Sequence, residues 1–461
     1  MTTTQKTPHY YFIGIGGIGM SALVLFCLQK GYQVSGSDLQ SSELTLKLEK
    51  MGAHIALGHN SANLTDADAV IYTSAIRKNN PEYQKALTQN VSIYHRAEFL
   101  AFLAEDYSEL IAITGTHGKT TITSLLAHIM NEAGLDPSFI NGGIANNFSH
   151  HAHAGNSCYM IIEADESDAS FLKTHPKHII ISNVDLDHMQ TYKHEIKQLI
   201  QSFADFAMAD NVTGEILIGS DSSSAYKLIE QIKVQKKNAI HYGLKNDMDI
   251  QIINFYQKNH YANFDIVIAD NTFKDFSSTL PGRHNAENAL AAISLCIKLG
   301  IHEGTIKKAL LTFIGIYRRF NHYQVIIQNY NIDLIDDYGH HPVEIQSTLD
   351  AIAIQFPQRR LIHIYQPHRY TRTRDLFYEF TSCLNNADIV ILMHSYAARE
   401  APIAGANAVD LFNEFKKDHP NCFYVNTNNE ANTLIQQLVI NNDVILVQGA
   451  GDIANLVNLL R

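Results

Sequence analysis

The sequence predicts an α/β protein of three domains built on largely parallel sheets, and three observations carry that expectation. The chain has 461 residues, and at roughly 150 residues per domain this length suggests three separate cores. Apolar, β-rich runs alternate with helical patterns throughout, among them 69–73, 110–114, 159–163, 178–183, 361–365 and 389–393, and such alternation builds βαβ units. Three glycine-marked strand-to-helix passages, at 9–30, 110–132 and 444–459, divide the chain.

Composition narrows the class. Apolar residues are 46% and charged residues 18%, ordinary for a globular protein. A formal net charge of -11 argues against a dedicated nucleic-acid binder. Cys27, Cys158, Cys296, Cys383 and Cys422 are scattered without a C-x-x-C pair, which reads as reduced thiols of a cytoplasmic protein. The uncharged run 10–28 has the look of a membrane anchor, but it contains Gly14, Gly16, Gly17 and Gly19. Glycine is a poor helix former, so the run divides better into strand, turn and helix, and no stable membrane insertion is expected.

The first passage carries Gly14-Ile15-Gly16-Gly17-Ile18-Gly19, with Asp38 about twenty residues on at the end of a second strand. Glycines let a backbone approach a pyrophosphate, the helix N-terminus favours its charge, and the acid would reach a ribose hydroxyl. Taken alone, this loop would suit a nicotinamide dehydrogenase.

The second passage carries Gly115-Thr116-His117-Gly118-Lys119-Thr120-Thr121 after the apolar run 110–114. Backbone amides of such a loop wrap phosphate oxygens, with Lys119 at the β and γ phosphates and Thr120 on Mg²⁺. The string is shorter than the usual P-loop, and Ile113 stands where the first glycine would be. By composition its five fixed residues should arise by chance in only about one chain in several thousand, so ATP or a similar triphosphate is the expected ligand.

Acidic strings follow two further strands. Glu163-Ala164-Asp165-Glu166-Ser167-Asp168 places Glu163 as an oxygen ligand completing a Mg²⁺ site. Asn183-Val184-Asp185-Leu186-Asp187-His188 ends in a histidine that either binds a second Mg²⁺ or packs as an ordinary side chain. His284 and Asn288, four apart at a helix start, either face one ligand or cap the helix. Cationic donors cluster later, in Tyr317-Arg318-Arg319-Phe320 and in the run from Gln366 to Arg374, with the turn from Asp336 to Pro342 between them. Planar guanidinium groups suit carboxylate and phosphate; a solvated basic loop is the alternative.

Together these residues resemble the Mur ligase family of bacterial cell-wall enzymes over nearly the whole chain. The Gly115–Thr121 loop, the N-x-x-x-D-H string and the H-N-x-x-N helix start match the family generally. The resemblance implies a Rossmann-like N-terminal domain for a UDP-sugar (1–107), a central P-loop-type ATPase domain (108–321) and a Rossmann-like C-terminal domain that binds the amino acid and closes the site (322–461). Narrower strings look like the branch that joins L-alanine to UDP-N-acetylmuramate with ADP formation in peptidoglycan precursor synthesis. These are Gly14–Gly19 with Met20-Ser21, Ser35–Asp38, Glu163–Asp168, Arg318–Phe320, Asp336–Pro342 and Gln366–Thr373. A rival branch attaches a whole tripeptide to the same nucleotide sugar.

The resemblance turns the first glycine loop from NAD to the UDP-sugar, with Gly14, Gly16, Gly17, Gly19, Asp38 and Ser74 as contacts joined by His368, Arg369 and Arg372. It implies ATP contacts at Gly115–Thr121, at His284 and Asn288 on the adenine, and at Arg319. It implies Mg²⁺, held by Thr120, Glu163 and His188; an amino-acid pocket of Tyr338, His340, Arg369 and Arg372; and catalytic roles for Lys119, Glu163, His188 and Arg372. Several relatives carry a carbamylated lysine at the second metal. The position that aligns here reads Phe203, with Lys193 and Lys197 nearby.

Overall fold

A computed structural model describes residues 7–185, 189–193, 195–219, 222–235, 239–258, 261–269, 271–398 and 400–461. Three sheets organise the chain into a three-domain α/β fold. Contacts gather it into two compact units, one comprising the chain to Asn254 with Phe264–Ser277 and Glu287–Ile314, the other Phe255–Asn263, Ser278–Ala286 and Gly315–Arg461.

The first unit opens with a five-stranded parallel sheet in the order His54–Leu57, Gln33–Asp38, His9–Ile13, Ala69–Tyr72, Ser92–His95. Alternation along His9–Ile13 decides what covers each face. Phe12 points to the helix Arg96–Ala104, where Phe99 meets it edge-on at 5.8 Å. Tyr11 and Ile13 point the other way, into a smaller core with Val70 and Ala86 of the helix Pro81–Thr88. The uncharged segment 10–28 is a buried strand, a glycine turn and the helix Ile18–Gln29. Among the described residues no helix is long and apolar enough to cross a membrane.

The second sheet, of ten strands, centres on Glu109–Thr114, flanked by His178–Ile181 and Tyr159–Glu163 in parallel register. These central strands are apolar runs buried on both faces, as a sheet wrapped by helices requires. Their carboxyl ends deliver the glycine loop, the acidic string and Ser182–Asp185 to one edge.

The second unit holds six strands in the order Asn321–Ile327, Tyr330–Asp337, Val444–Gln448, Leu361–Tyr365, Ile389–Met393, Cys422–Val425, all parallel except the first pair. Ile332, Leu334, Ile362, Ile364, Ile445 and Val447 face one core, while Ile335, Tyr365, Val390, Leu392, Val444 and Leu446 face another. Helices therefore cover both faces, and the polar residues at the strand ends are left at the carboxyl edge.

Candidate active site

The triphosphate-type loop is shaped by its glycines and held by the neighbouring strand end. Gly118 has φ +82° and caps the helix Lys119–Glu132; a Cβ there would lie 2.3 Å from Asn288 Oδ1. Asn288 thus abuts the loop from the helix Arg283–Lys298. Thr116 N donates to Asn183 O at 3.3 Å, His117 N donates to Asn183 Oδ1 at 2.9 Å, and Asn183 Nδ2 donates back to His117 O at 3.0 Å. Ser182 Oγ donates to the same His117 carbonyl.

Lys119 curls back on this loop. Its Nζ donates to Gly115 O at 2.6 Å and Thr116 O at 3.1 Å, and lies 2.8 Å from Glu166 Oε2. Burial works against the ammonium, but Glu166, Asp165 and Glu163 outweigh it and hold its pKa above the ordinary lysine value. Burial likewise pushes the Glu166 carboxyl up to about 7 in spite of Lys119. Burial also acts on Asp165, but there Lys119 and the Ser167 amide prevail and leave it below the usual carboxylate range.

Thr120 Oγ1 donates to Glu163 Oε2 at 2.8 Å, and Gly142 N donates to the same oxygen at 2.8 Å. A Cβ at Gly142 would sit 2.7 Å from both Glu163 oxygens, so a side chain there would displace the carboxylate. Thr121 is buried one position further into the helix. His188 lies outside the described residues. Among the described residues no three His, Cys, Asp or Glu side chains form a ready metal cage. Phe203 is a fully buried core residue with its ring 5.5 Å from that of Phe171.

The first glycine loop is tied to the end of its neighbouring strand. Gly14 N and Ile15 N donate to Ser37 O at 2.8 and 3.0 Å. Gly16 N donates to Asp38 Oδ2 at 2.8 Å, so the acid rests on a loop amide. Gly17 caps the helix Ile18–Gln29 without a side-chain bond to its first amides, and its own N donates to Gly14 O at 3.2 Å. Gly19 packs beside Arg96, whose Cδ would lie 3.2 Å from a Cβ, and Ser74 is exposed in the turn after Ala69–Tyr72.

In the second unit the sheet's carboxyl edge gathers the remaining candidates. Arg318 is consumed internally: Nε donates to Asp336 Oδ1 at 2.9 Å and an Nη to Gly449 O at 2.8 Å. Arg319 instead sits over the Tyr338 ring at 5.2 Å and donates to Glu344 Oε1 at 3.2 Å. His340 meets Tyr338 edge-on at 5.4 Å and His368 at 5.5 Å. Burial pushes His340 down to about 3, with Arg372 adding to the push against Glu344. Burial, then Arg372 and Arg369, pushes His368 down to about 4. Burial pushes His284 down to about 4 as well, against Asp337. All three rings are neutral at pH 7 and can accept as well as donate. Arg372 is buried and Arg369 exposed.

Several residues that build this geometry escaped the sequence reading. Asn183 appeared only as part of an acid-histidine string, yet it fastens the phosphate loop. Gly142 and Glu166 hold Glu163 and Lys119. Glu82, fully buried, accepts from Ser37 Oγ at 2.6 Å, Asn63 Nδ2 at 2.8 Å and Tyr11 Oη at 2.9 Å, fixing the strand end that carries Asp38. Asn141-Gly142-Gly143 after an apolar run was the one visible signal among these.

Family models match three consecutive stretches: residues 9–108 fit the Mur ligase family catalytic domain, 113–296 the Mur ligase middle domain, and 318–451 the Mur ligase glutamate ligase domain. The chain is 40% identical over 457 residues to UDP-N-acetylmuramate–L-alanine ligase of Buchnera aphidicola, covering 97% of this chain and 93% of that one. It is 40% identical over 464 residues to the enzyme of the same name from Ruthia magnifica, covering 100% and 98%. The crystal structure of UDP-N-acetylmuramate-alanine ligase from Thermotoga maritima superposes with a TM-score of 0.83 at 28% identity over 98% of both chains. A murein peptide ligase from Psychrobacter arcticus shares the fold with a TM-score of 0.70 at 22% identity, over 98% of both chains. The chain belongs to the Mur ligase family.

Proposed function

We propose that the chain joins L-alanine to the muramoyl carboxylate of UDP-N-acetylmuramate, consuming ATP and releasing ADP and phosphate. Relatives that carry this activity in their names match it from end to end. The observation that carries the chemical half is the head of the helix Lys119–Glu132, where a loop of backbone amides, a cationic Lys119 and the Thr120–Glu163 pair converge.

A carboxylate at neutral pH is a poor acyl donor. In the proposed reaction a muramoyl oxygen attacks the γ-phosphorus of ATP, the bond to the bridging oxygen breaks, and ADP leaves. The amine of L-alanine attacks the acyl carbon, a tetrahedral intermediate forms, and phosphate departs. Both partners of the first step are anions, so charge neutralisation and positioning dominate its barrier.

Lys119 leaves its loop carbonyls to meet the β and γ phosphates, and Asn288, His284 and Arg319 are further contacts for ATP in this reading. Thr120 and Glu163 present a hydroxyl and a carboxylate to one point, an all-oxygen pair that fits a hard divalent ion. Mg²⁺ bound there, with His188 at a second ion, would supply charge neutralisation on the triphosphate. Gly14, Gly16, Gly17, Gly19, Asp38 and Ser74 hold the UDP-sugar. His368, Arg369 and Arg372 hold the muramoyl end or the amino-acid carboxylate, and Tyr338 and His340 shape the alanine pocket. The domain divisions near residues 107 and 321 belong to the same reading, as does a cytoplasmic location, where ATP is at hand and five free cysteines stay reduced.

The test is an amino-acid panel with UDP-N-acetylmuramate and ATP, read by ADP formation and product mass. ADP should form only with both the sugar nucleotide and L-alanine present, with glycine and L-serine slower. A pocket separates one methylene by about 1–3 kcal/mol, so their rates should fall about tenfold or more. ADP formation independent of the sugar nucleotide would defeat the reading.

A further inference from the structure

The helix Tyr370–Asp375 brings Arg372 and Arg374 to the carboxyl edge of the second sheet, and it starts badly. Its N-cap is Arg369, which has no acceptor to offer the first amides and holds φ +71°, in the left-handed region. The missing acceptor comes from 29 residues away. Glu400 Oε2 accepts from Thr371 N at 3.0 Å, and Glu400 Oε1 accepts from Thr371 Oγ1 at 2.7 Å.

The segment leading to Glu400 is laced to the same turn. Tyr396 N donates to Pro367 O at 2.8 Å and Arg369 N donates to Tyr396 O at 2.9 Å, while the Tyr396 and His368 rings stack at 5.4 Å and 8°. A carboxylate taking a helix's first amides satisfies orphan donors and complements the helix dipole. It also stands opposite the exposed Arg369.

We propose that Glu400 is a positioning residue: it clamps the start of the arginine helix so that Arg369 and Arg372 are held ready for the amino-acid carboxylate. This rests on the function proposed above for Arg369 and Arg372. Without Glu400 the Thr371 amide and hydroxyl lose their acceptor, Arg369 is held only through Tyr396 and Thr373, and the two guanidinium groups are less tightly positioned. Affinity for the small amino acid should fall first, since a ligand of so few atoms depends on those contacts.

The full-length protein tests this through Glu400→Ala, Glu400→Gln and Thr371→Val. Losing a charged acceptor should raise KM for L-alanine about tenfold in Glu400→Ala, with KM for ATP unchanged and kcat falling less than in Arg372→Ala. Glu400→Gln, which keeps the shape and one acceptor, should fall between that variant and the parent. Thr371→Val removes one of the two bonds and should cost less than Glu400→Ala, adding nothing when combined with it. A KM for L-alanine within about twofold of the parent in Glu400→Ala, or an equal rise in KM for ATP, would overturn the clamp.

Amide exchange separates the clamp from the function. Thr371 N–H should exchange faster in Glu400→Ala even if the parent protein turns out to ligate nothing; unchanged exchange would overturn the clamp alone. If Glu400→Ala does not fold, Glu400→Gln, which weakens the acceptor of the Thr371 amide, carries the same two readouts.

Discussion

Lys119 Nζ rests 2.8 Å from Glu166 Oε2 while donating to two carbonyls of its own loop, so the cation that would meet ATP has no proton left to offer until it moves. Glu166 is 2% exposed, and a pair this buried stabilises little as a unit but costs much when halved. Lys119→Ala should therefore have two effects. ADP formation should fall by about 10²–10³ or more while UDP-N-acetylmuramate still binds, measured by coupled assay and calorimetry. Stability should fall by about 3 kcal/mol. The double variant Lys119→Ala with Glu166→Gln should recover most of the stability and none of the activity.

Gly16 is the place where the first loop can be broken selectively. A Cβ there would come 2.8 Å from Thr45 Cγ2 and 2.9 Å from Asp38 Oδ2. Gly16→Ala should push Asp38 off the loop and weaken UDP-N-acetylmuramate binding about tenfold or more, leaving KM for ATP unchanged. Equal affinity in the variant would remove this loop from the sugar-nucleotide site.

Arg372 is buried close enough to His340 and His368 to depress both rings. Arg372→Ala should lower turnover about a hundredfold without loss of ATP binding, as expected for a contact to the reacting acids. An unaffected rate would take Arg372 out of the chemistry.

Acid should loosen the second unit. Burial pushes His340 and His363 down to about 3, and His284 and His368 to about 4, from an ordinary value of 6.5. Between about pH 6.5 and pH 4 the unfolded chain takes up protons that the folded unit refuses, so stability falls as pH falls through that window. The melting temperature should drop from about pH 7 to about pH 5, and His363→Leu should flatten the slope, since that ring is wholly buried. A slope unchanged in the variant would contradict the assignment.

The elements legible in the sequence were those whose signal is local. Tyr159–Glu163, Leu361–Tyr365 and Ile389–Met393 are strands at the bounds their apolar runs suggest. The run 178–183 is a strand only to Ile181; Ser182 N still donates to Thr114 O at 2.9 Å, and the side chains of Ser182 and Asn183 donate to the His117 carbonyl. Glycine loops were legible because Gly118 needs a positive φ and Gly16 a close approach.

What stayed hidden depends on partners distant in sequence. Nothing around Glu82 announces that Ser37, Asn63 and Tyr11 converge on it. Of two adjacent arginines, Arg318, with a left-handed backbone (φ +58°), pairs with Asp336, while Arg319 pairs with Glu344, and nothing local in the sequence separates the two.

The claim beneath all of this is that the acid is phosphorylated before the amine attacks. UDP-N-acetylmuramate labelled with oxygen-18 in its muramoyl carboxylate, turned over with ATP and L-alanine, reads that step directly by mass spectrometry of the released phosphate. One label atom should appear in each phosphate, because the acyl oxygen leaves with it. Unlabelled phosphate alongside full peptide-bond formation would contradict the account.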